Sequence, residues 1–136
     1  MWLRESPDSQ PLRFKQLALV IEDDPDLAII FAGALRQAGF KTEIILEGRY
    51  ALERLAETVP AIVLLDIHLP YYSGVEILQK IRTDARLVQT KVMLATADSI
   101  RAEQLQAEAD LVLLKPISYR QLRDLAERLG PFDPVD

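Results

Sequence analysis

Five apolar runs of strand length recur along this chain, at Leu17–Ile21, Thr42–Leu46, Ala61–Leu65, Val92–Ala95 and Leu111–Leu114. Stretches with helical spacing lie between them, and this alternation predicts βα units around a parallel sheet. Four of the runs are nearly continuous in Val, Ile, Leu, Met and Ala, the composition of strands covered on both faces. The second, with Lys41 before it and Glu43 inside it, suits an edge. The predicted fold class is therefore α/β, an open (βα)5 doubly wound parallel sheet. Because its strands all point one way, every loop that follows a strand opens on the same edge of the sheet, where sites form in such folds.

Helix signals agree with this reading. Asp24 is placed to cap a first helix, Pro25 fits its first position, Leu27, Ile30, Phe31, Ala34, Leu35 and Ala38 repeat at three and four, and Gly39 ends it. Ser118 with Gln121 reads as a capping box for the last helix, whose stripe is Leu122, Leu125, Ala126 and Leu129 before Gly130-Pro131. Weaker stripes cover Tyr50–Glu57 and Gly74–Arg82. The fourth candidate, Ser99–Glu108, has poor periodicity. The expected organisation is an N-terminal tail over residues 1–15, one domain over 16–130 and a C-terminal tail over 131–136. A chain of 136 residues is long enough for one such core.

Several classes are excluded or disfavoured by composition. No cysteine is present, so disulfides, thiolate zinc sites and cysteine nucleophiles are excluded. A net charge of −5 argues against a phosphate backbone as principal partner, because that affinity comes from Lys and Arg. A DNA-binding role would need another domain. The N-terminal segment lacks the apolar core of a signal peptide and no run has the roughly 18 apolar residues of a membrane span, so no membrane association and a cytoplasmic address are expected.

The residues that close the runs carry the chemistry. Glu22, Asp23 and Asp24 follow the first, Asp66 the third, Thr96 the fourth and Lys115 the fifth. Singly, each has an ordinary use as a cap, turn or surface residue. Together, at corresponding ends of parallel strands, they become neighbours. Crowded carboxylates at neutral pH either raise a pKa or take up a cation. Oxygen ligands favour a hard ion such as Mg²⁺, which shares its shell readily with a phosphate. Thr96 and Lys115 would supply a donor and a point charge to phosphoryl oxygens. Asp66, alone at the sheet's centre, is best placed as a nucleophile.

The elements "VIEDDPD", "LLDIHLPYYSG", "MLATA" and "LLKP", in this order, closely resemble the receiver domain of two-component response regulators, from about Leu17 to Leu129. The resemblance implies the flavodoxin-like strand order 2-1-3-4-5 and a cis bond between Lys115 and Pro116. It implies that Asp66 accepts a phosphoryl group from a histidine kinase or phosphotransfer partner, with Thr96 bonding that group and Lys115 pairing with it. Mg²⁺ would be held by Asp23 directly, Glu22 through water, Asp66, and the backbone carbonyl of His68, with Asp24 left as a helix cap. The side chains of His68 and Asp98 are expected at the rim, where they would modulate water's access. No separate substrate turnover is expected; output would pass through a downstream protein or a homodimer, at surfaces near Ile100, Leu105 and Tyr119.

Two departures from the family pattern bear on output rather than on phosphorylation. Val112 stands where an aromatic switch residue is usual, and Ile117 where a Phe often follows "KP". With a Thr96–Lys115 segment shorter than the family's by roughly one helical turn, which implies a short fourth helix, they keep open an alternative, a receiver-shaped adaptor that binds partners regardless of phosphorylation. A Mg²⁺-dependent phosphohydrolase is a more distant rival, since His68 stands where such enzymes place a second acid.

Overall fold

A strand sends alternate side chains to opposite faces, so an unbroken apolar run needs cover on both sides. The computed structural model describes residues 15–130, so the two predicted tails lie outside the described residues apart from Lys15. Five parallel strands, β1 (Leu17–Ile21), β2 (Lys41–Ile45), β3 (Ile62–Asp66), β4 (Lys91–Thr96) and β5 (Leu111–Leu114), lie in the order β2-β1-β3-β4-β5. The helices between them are α1 (Pro25–Gln37), α2 (Gly48–Glu57), α3 (Gly74–Thr83), α4 (Ser99–Leu105) and α5 (Tyr119–Leu129). One 3₁₀ turn, Ala85–Leu87, precedes β4 and is capped by Asp84, whose side chain accepts from the Arg86 N–H. Predicted and observed strand ends differ by no more than one residue, and helix ends by no more than three.

Alternation divides the runs between two cores. Ala18 and Val20 of β1, Ile62 and Leu64 of β3, and Met93 and Ala95 of β4 pack under α1 and α5, with Phe31, Leu35, Leu122 and Ala126. Leu19 and Ile21, Val63 and Leu65, and Val92 and Leu94 face the other way, onto Leu55 of α2, Ile77, Leu78 and Ile81 of α3, and Leu105 of α4. Each large side chain fully buried here contributes about 1.5–3 kcal/mol relative to leaving it in water. In α1 the buried face is centred on Phe31, so Ala28 and Ala32 line it while Ile30, counted in the sequence stripe, is 45% exposed.

The strand β2 is an outer strand, as expected, and its Glu43 is gripped by Arg54 of α2 at 2.7 and 2.9 Å. The strand β5 is the other outer strand, as the order 2-1-3-4-5 implies. Its apolar run suggested cover on both faces, and here the expectation needs correction, since Leu114 is 49% exposed. The physical reason is α4, which has seven residues and buries only Ala102 and Leu105. Among the described residues, no helix is long and apolar enough to cross a membrane.

Candidate functional site

The site is assembled at the C-terminal ends of β1, β3, β4 and β5. Glu22 continues the β1 ladder, its N–H donating to Ile45 at 3.1 Å, and this directs its side chain inward to 2% exposure. Its carboxylate accepts from the Asp24 N–H at 3.2 Å and from the Lys115 ammonium at 2.8 Å. Asp23, the next residue, turns outward and is exposed. Asp24 caps α1, accepting from the N–H groups of Asp26 and Leu27 at 3.0 and 3.3 Å. The acidic triplet thus divides into one buried acid, one exposed acid and one cap.

Asp66 is the last residue of β3 and is buried. One carboxylate oxygen accepts from the His68 N–H at 3.0 Å, and the other lies 3.4 Å from the Lys115 Nζ. Lys115 reaches it from the far side of the sheet because its N–H continues the ladder to Thr96, at 2.8 Å, and so keeps the residue in register at the mouth. The Lys115–Pro116 bond is cis. Thr96 ends β4 fully buried, with its hydroxyl accepting from the Asp98 N–H at 3.0 Å.

One ammonium serves two buried acids here, so charge compensation is incomplete. Burial pushes the Glu22 carboxyl up to about 7; the Lys115 ammonium and the Asp24 N–H pull against that rise, and Asp66 adds to it. Burial would lower the Lys115 ammonium, but the Glu22 hydrogen bond and the Asp66 charge outweigh it and raise the group above the usual lysine range. The carboxylate oxygens of Glu22, Asp23 and Asp66 lie within 4.8 Å of one another. A set of hard oxygen donors this close, short of positive charge, fits a divalent cation.

The two rim residues have further contacts. The His68 side chain is exposed on one side, but its Nε2 lies 3.2 Å from the Thr96 hydroxyl, so the ring tip faces into the site. Asp98 is occupied in capping α4, accepting from the N–H groups of Ile100 and Arg101 at 3.0 and 3.1 Å. Asp98→Ala is therefore expected to cost about 1 kcal/mol, seen as a lower urea midpoint at unchanged slope. An undiminished midpoint would remove the capping role.

Gly74 is a structural contributor to the site that sequence reading missed. Its N–H donates to the Ile67 carbonyl at 2.8 Å, and a Cβ there would meet the backbone of Asp66 and Ile67. The available signal was the Ser73-Gly74 pair, a cap followed by a residue without a side chain.

Residues 18–127 match the family model described as response regulator receiver domain. The DNA-binding response regulator MtrA of Mycolicibacterium smegmatis is 34% identical over 109 residues, which are 79% of this chain and 47% of that protein. The chain thus spans about half the length of most of these curated relatives and about a fifth of another, a putative transcriptional regulator of Haloferax volcanii. Among solved structures, the response regulator TrrA from Thermotoga maritima in complex with Mg²⁺-BeF superposes with a TM-score of 0.75 at 26% identity, covering 85% of this chain and 99% of that one. The chemotaxis response regulator CheY4 of Vibrio cholerae gives 0.77 at 20% identity, over 85% and 99%, a likeness of fold.

Proposed function

This chain belongs to the response regulator receiver domain family of two-component signalling, and from that premise we propose that it is a phosphorylation-operated switch whose phosphoryl acceptor is Asp66. Residues 16–130 are the receiver unit in this reading. The donor is a histidine kinase or phosphotransfer protein, and the signal leaves through contact with an output protein or a second copy.

The observation that carries the reading is the meeting of Glu22, Asp23 and Asp66 within 4.8 Å, with Lys115 at 2.8 Å from Glu22 and 3.4 Å from Asp66. Mg²⁺, held by Glu22, Asp23, Asp66 and the His68 carbonyl, would supply positive charge against the phosphoryl oxygens. In the transfer an Asp66 carboxylate oxygen attacks phosphorus, the P–N bond of the donor phosphohistidine breaks, and its electron pair returns to the imidazole nitrogen. Lys115 offsets the negative charge that collects on the phosphoryl oxygens, and Thr96 donates a hydrogen bond to one of them. No separate substrate is turned over. Reversing a 1:99 population to 99:1 requires about 5.5 kcal/mol of preference for one state.

Incubation with Mg²⁺ and a small phosphodonor, followed by intact mass measurement, should add one phosphoryl group to the parent and none to Asp66→Asn. Val112, which is no ring, and the seven-residue α4 favour the adaptor as a second reading. Equal partner binding by a parent and an Asp66→Asn variant that both fail to gain mass would select it.

A further inference from the structure

The Thr96 hydroxyl has two partners among the described residues, the Asp98 N–H at 3.0 Å and the His68 Nε2 at 3.2 Å. An amide N–H only donates, so it occupies a lone pair of the hydroxyl oxygen. The hydroxyl proton still needs an acceptor, and the imidazole nitrogen is the one in reach. Were Nε2 to donate instead, the oxygen would accept twice and leave its proton buried without a partner, the costlier arrangement. The bond therefore assigns the neutral tautomer with its hydrogen on Nδ1.

The contact forms where the two strands end side by side. Asp66 pairs with Ala95 and the Ile67 N–H donates to the Ala95 carbonyl at 3.1 Å, so His68 leaves the ladder beside the end of β4, where Thr96 stands. The His68 N–H bond to Asp66 fixes the backbone of that turn, while the other side of the ring faces solvent. The ring is held by one hydrogen bond at its tip and has room to swing out.

We propose that His68 is a positioning residue that holds the Thr96 hydroxyl in the resting state, so that Thr96 turns to a phosphoryl group on Asp66 only when the imidazole lets go. This role rests on Thr96 bonding the phosphoryl group, as proposed above. It adds a resting-state latch supplied by the β3–α3 loop, distinct from any screening of water at the rim.

Beryllofluoride with Mg²⁺ serves as the phosphoryl probe. A neutral hydrogen bond of ordinary net strength corresponds to roughly a three- to tenfold change in equilibrium. His68→Phe, which keeps a ring but cannot accept, should bind the probe tighter by that factor. His68→Gln, whose amide oxygen can accept, should return toward the parent. In a Thr96→Ala background, His68→Phe should change nothing. Imidazole ¹⁵N shifts of the resting protein should show the Nδ1–H tautomer, and Thr96→Ala should move the ring toward the commoner Nε2–H form. Equal or weaker probe binding by His68→Phe overturns the latch, as does a tautomer indifferent to Thr96→Ala. If the parent itself does not bind the probe, the phosphorylation reading fails, and the latch with it. If His68→Phe does not fold, the Thr96→Ala spectrum decides.

Discussion

The affinity of the site for Mg²⁺ is expected to fall roughly a hundredfold between pH 8 and pH 5. Metal ligands must be deprotonated, and burial holds the Glu22 carboxyl near 7. Such a group is about nine-tenths ionised at pH 8 and about one-hundredth ionised at pH 5. Without metal, the same shift acts on stability with a sign unusual for an acid. Between about 4.5, its ordinary value, and about 7, the folded chain holds a proton that the unfolded chain has lost. The stabilisation from Glu22 is therefore fully present below that window and is lost as pH rises through 7, about 3 kcal/mol in all. In chelator, the urea midpoint should be higher at pH 5 than at pH 8 on this account; in saturating Mg²⁺ the trend should reverse. Glu22→Gln should flatten both. Calorimetric titrations giving one affinity across the range would show that Glu22 does not govern the ion.

Gly74→Ala should lower stability by about 2–3 kcal/mol, toward the upper end of what added volume costs in a packed interior. The new methyl group would press on the carbonyl oxygen of Asp66 and the Cα of Ile67. Neither can rotate aside, because Asp66 is held in β3 and the Ile67 carbonyl already accepts from Gly74. The strand end must move, and the acceptor carboxylate moves with it. Phosphorylation from a small donor should then slow about a hundredfold, the scale at which misplacement of about 1 Å acts on a reacting group. Gly33→Ala makes the contrast. At mid-α1 the added carbon meets a ring carbon of Tyr119 at 3.3 Å and the Arg36 Nη2 at 3.9 Å, both on flexible side chains; the Tyr119 ring is 39% exposed, tied only by its hydroxyl donating to the Gly33 carbonyl at 3.1 Å. Helix propensity gains about 1 kcal/mol there, so the net change should stay within about 1 kcal/mol of zero. Equal losses in the two variants would discard the steric account of Gly74.

What the sequence made legible was what apolar content and spacing encode. Runs closed by Asp66, Thr96 and Lys115 mark where buried strands stop, and the site sits at those stops. Apolarity marks burial better than pairing, however. The run Thr42–Leu46 is shifted one residue from β2, because Lys41 pairs with Leu17 while Leu46 is 41% exposed. It also does not say where a sheet ends. Leu111–Leu114 reads like a central strand, and the strand order came from resemblance, not from the run itself. Side-chain direction was least accessible. The pairing of Lys115 with Glu22 joins residues 93 apart in sequence, and the inward turn of the His68 tip depends on how the loop after β3 folds back onto Asp66. The 3₁₀ turn at Ala85–Leu87 was signalled only by Asp84 two residues before Arg86, a pattern common to many turns.

Each of the five helices follows a strand, so all begin at the sheet edge that holds Glu22, Asp66 and Thr96. Aligned peptide dipoles place about half a positive charge at each such beginning, fixed in the backbone and not subject to titration. A molecule with formal charge −5 therefore has a strongly uneven field. Bulk acidity is then a poor guide to what this edge attracts: with a cation answering Glu22, Asp23 and Asp66, an incoming anion would meet backbone polarity pointed toward it.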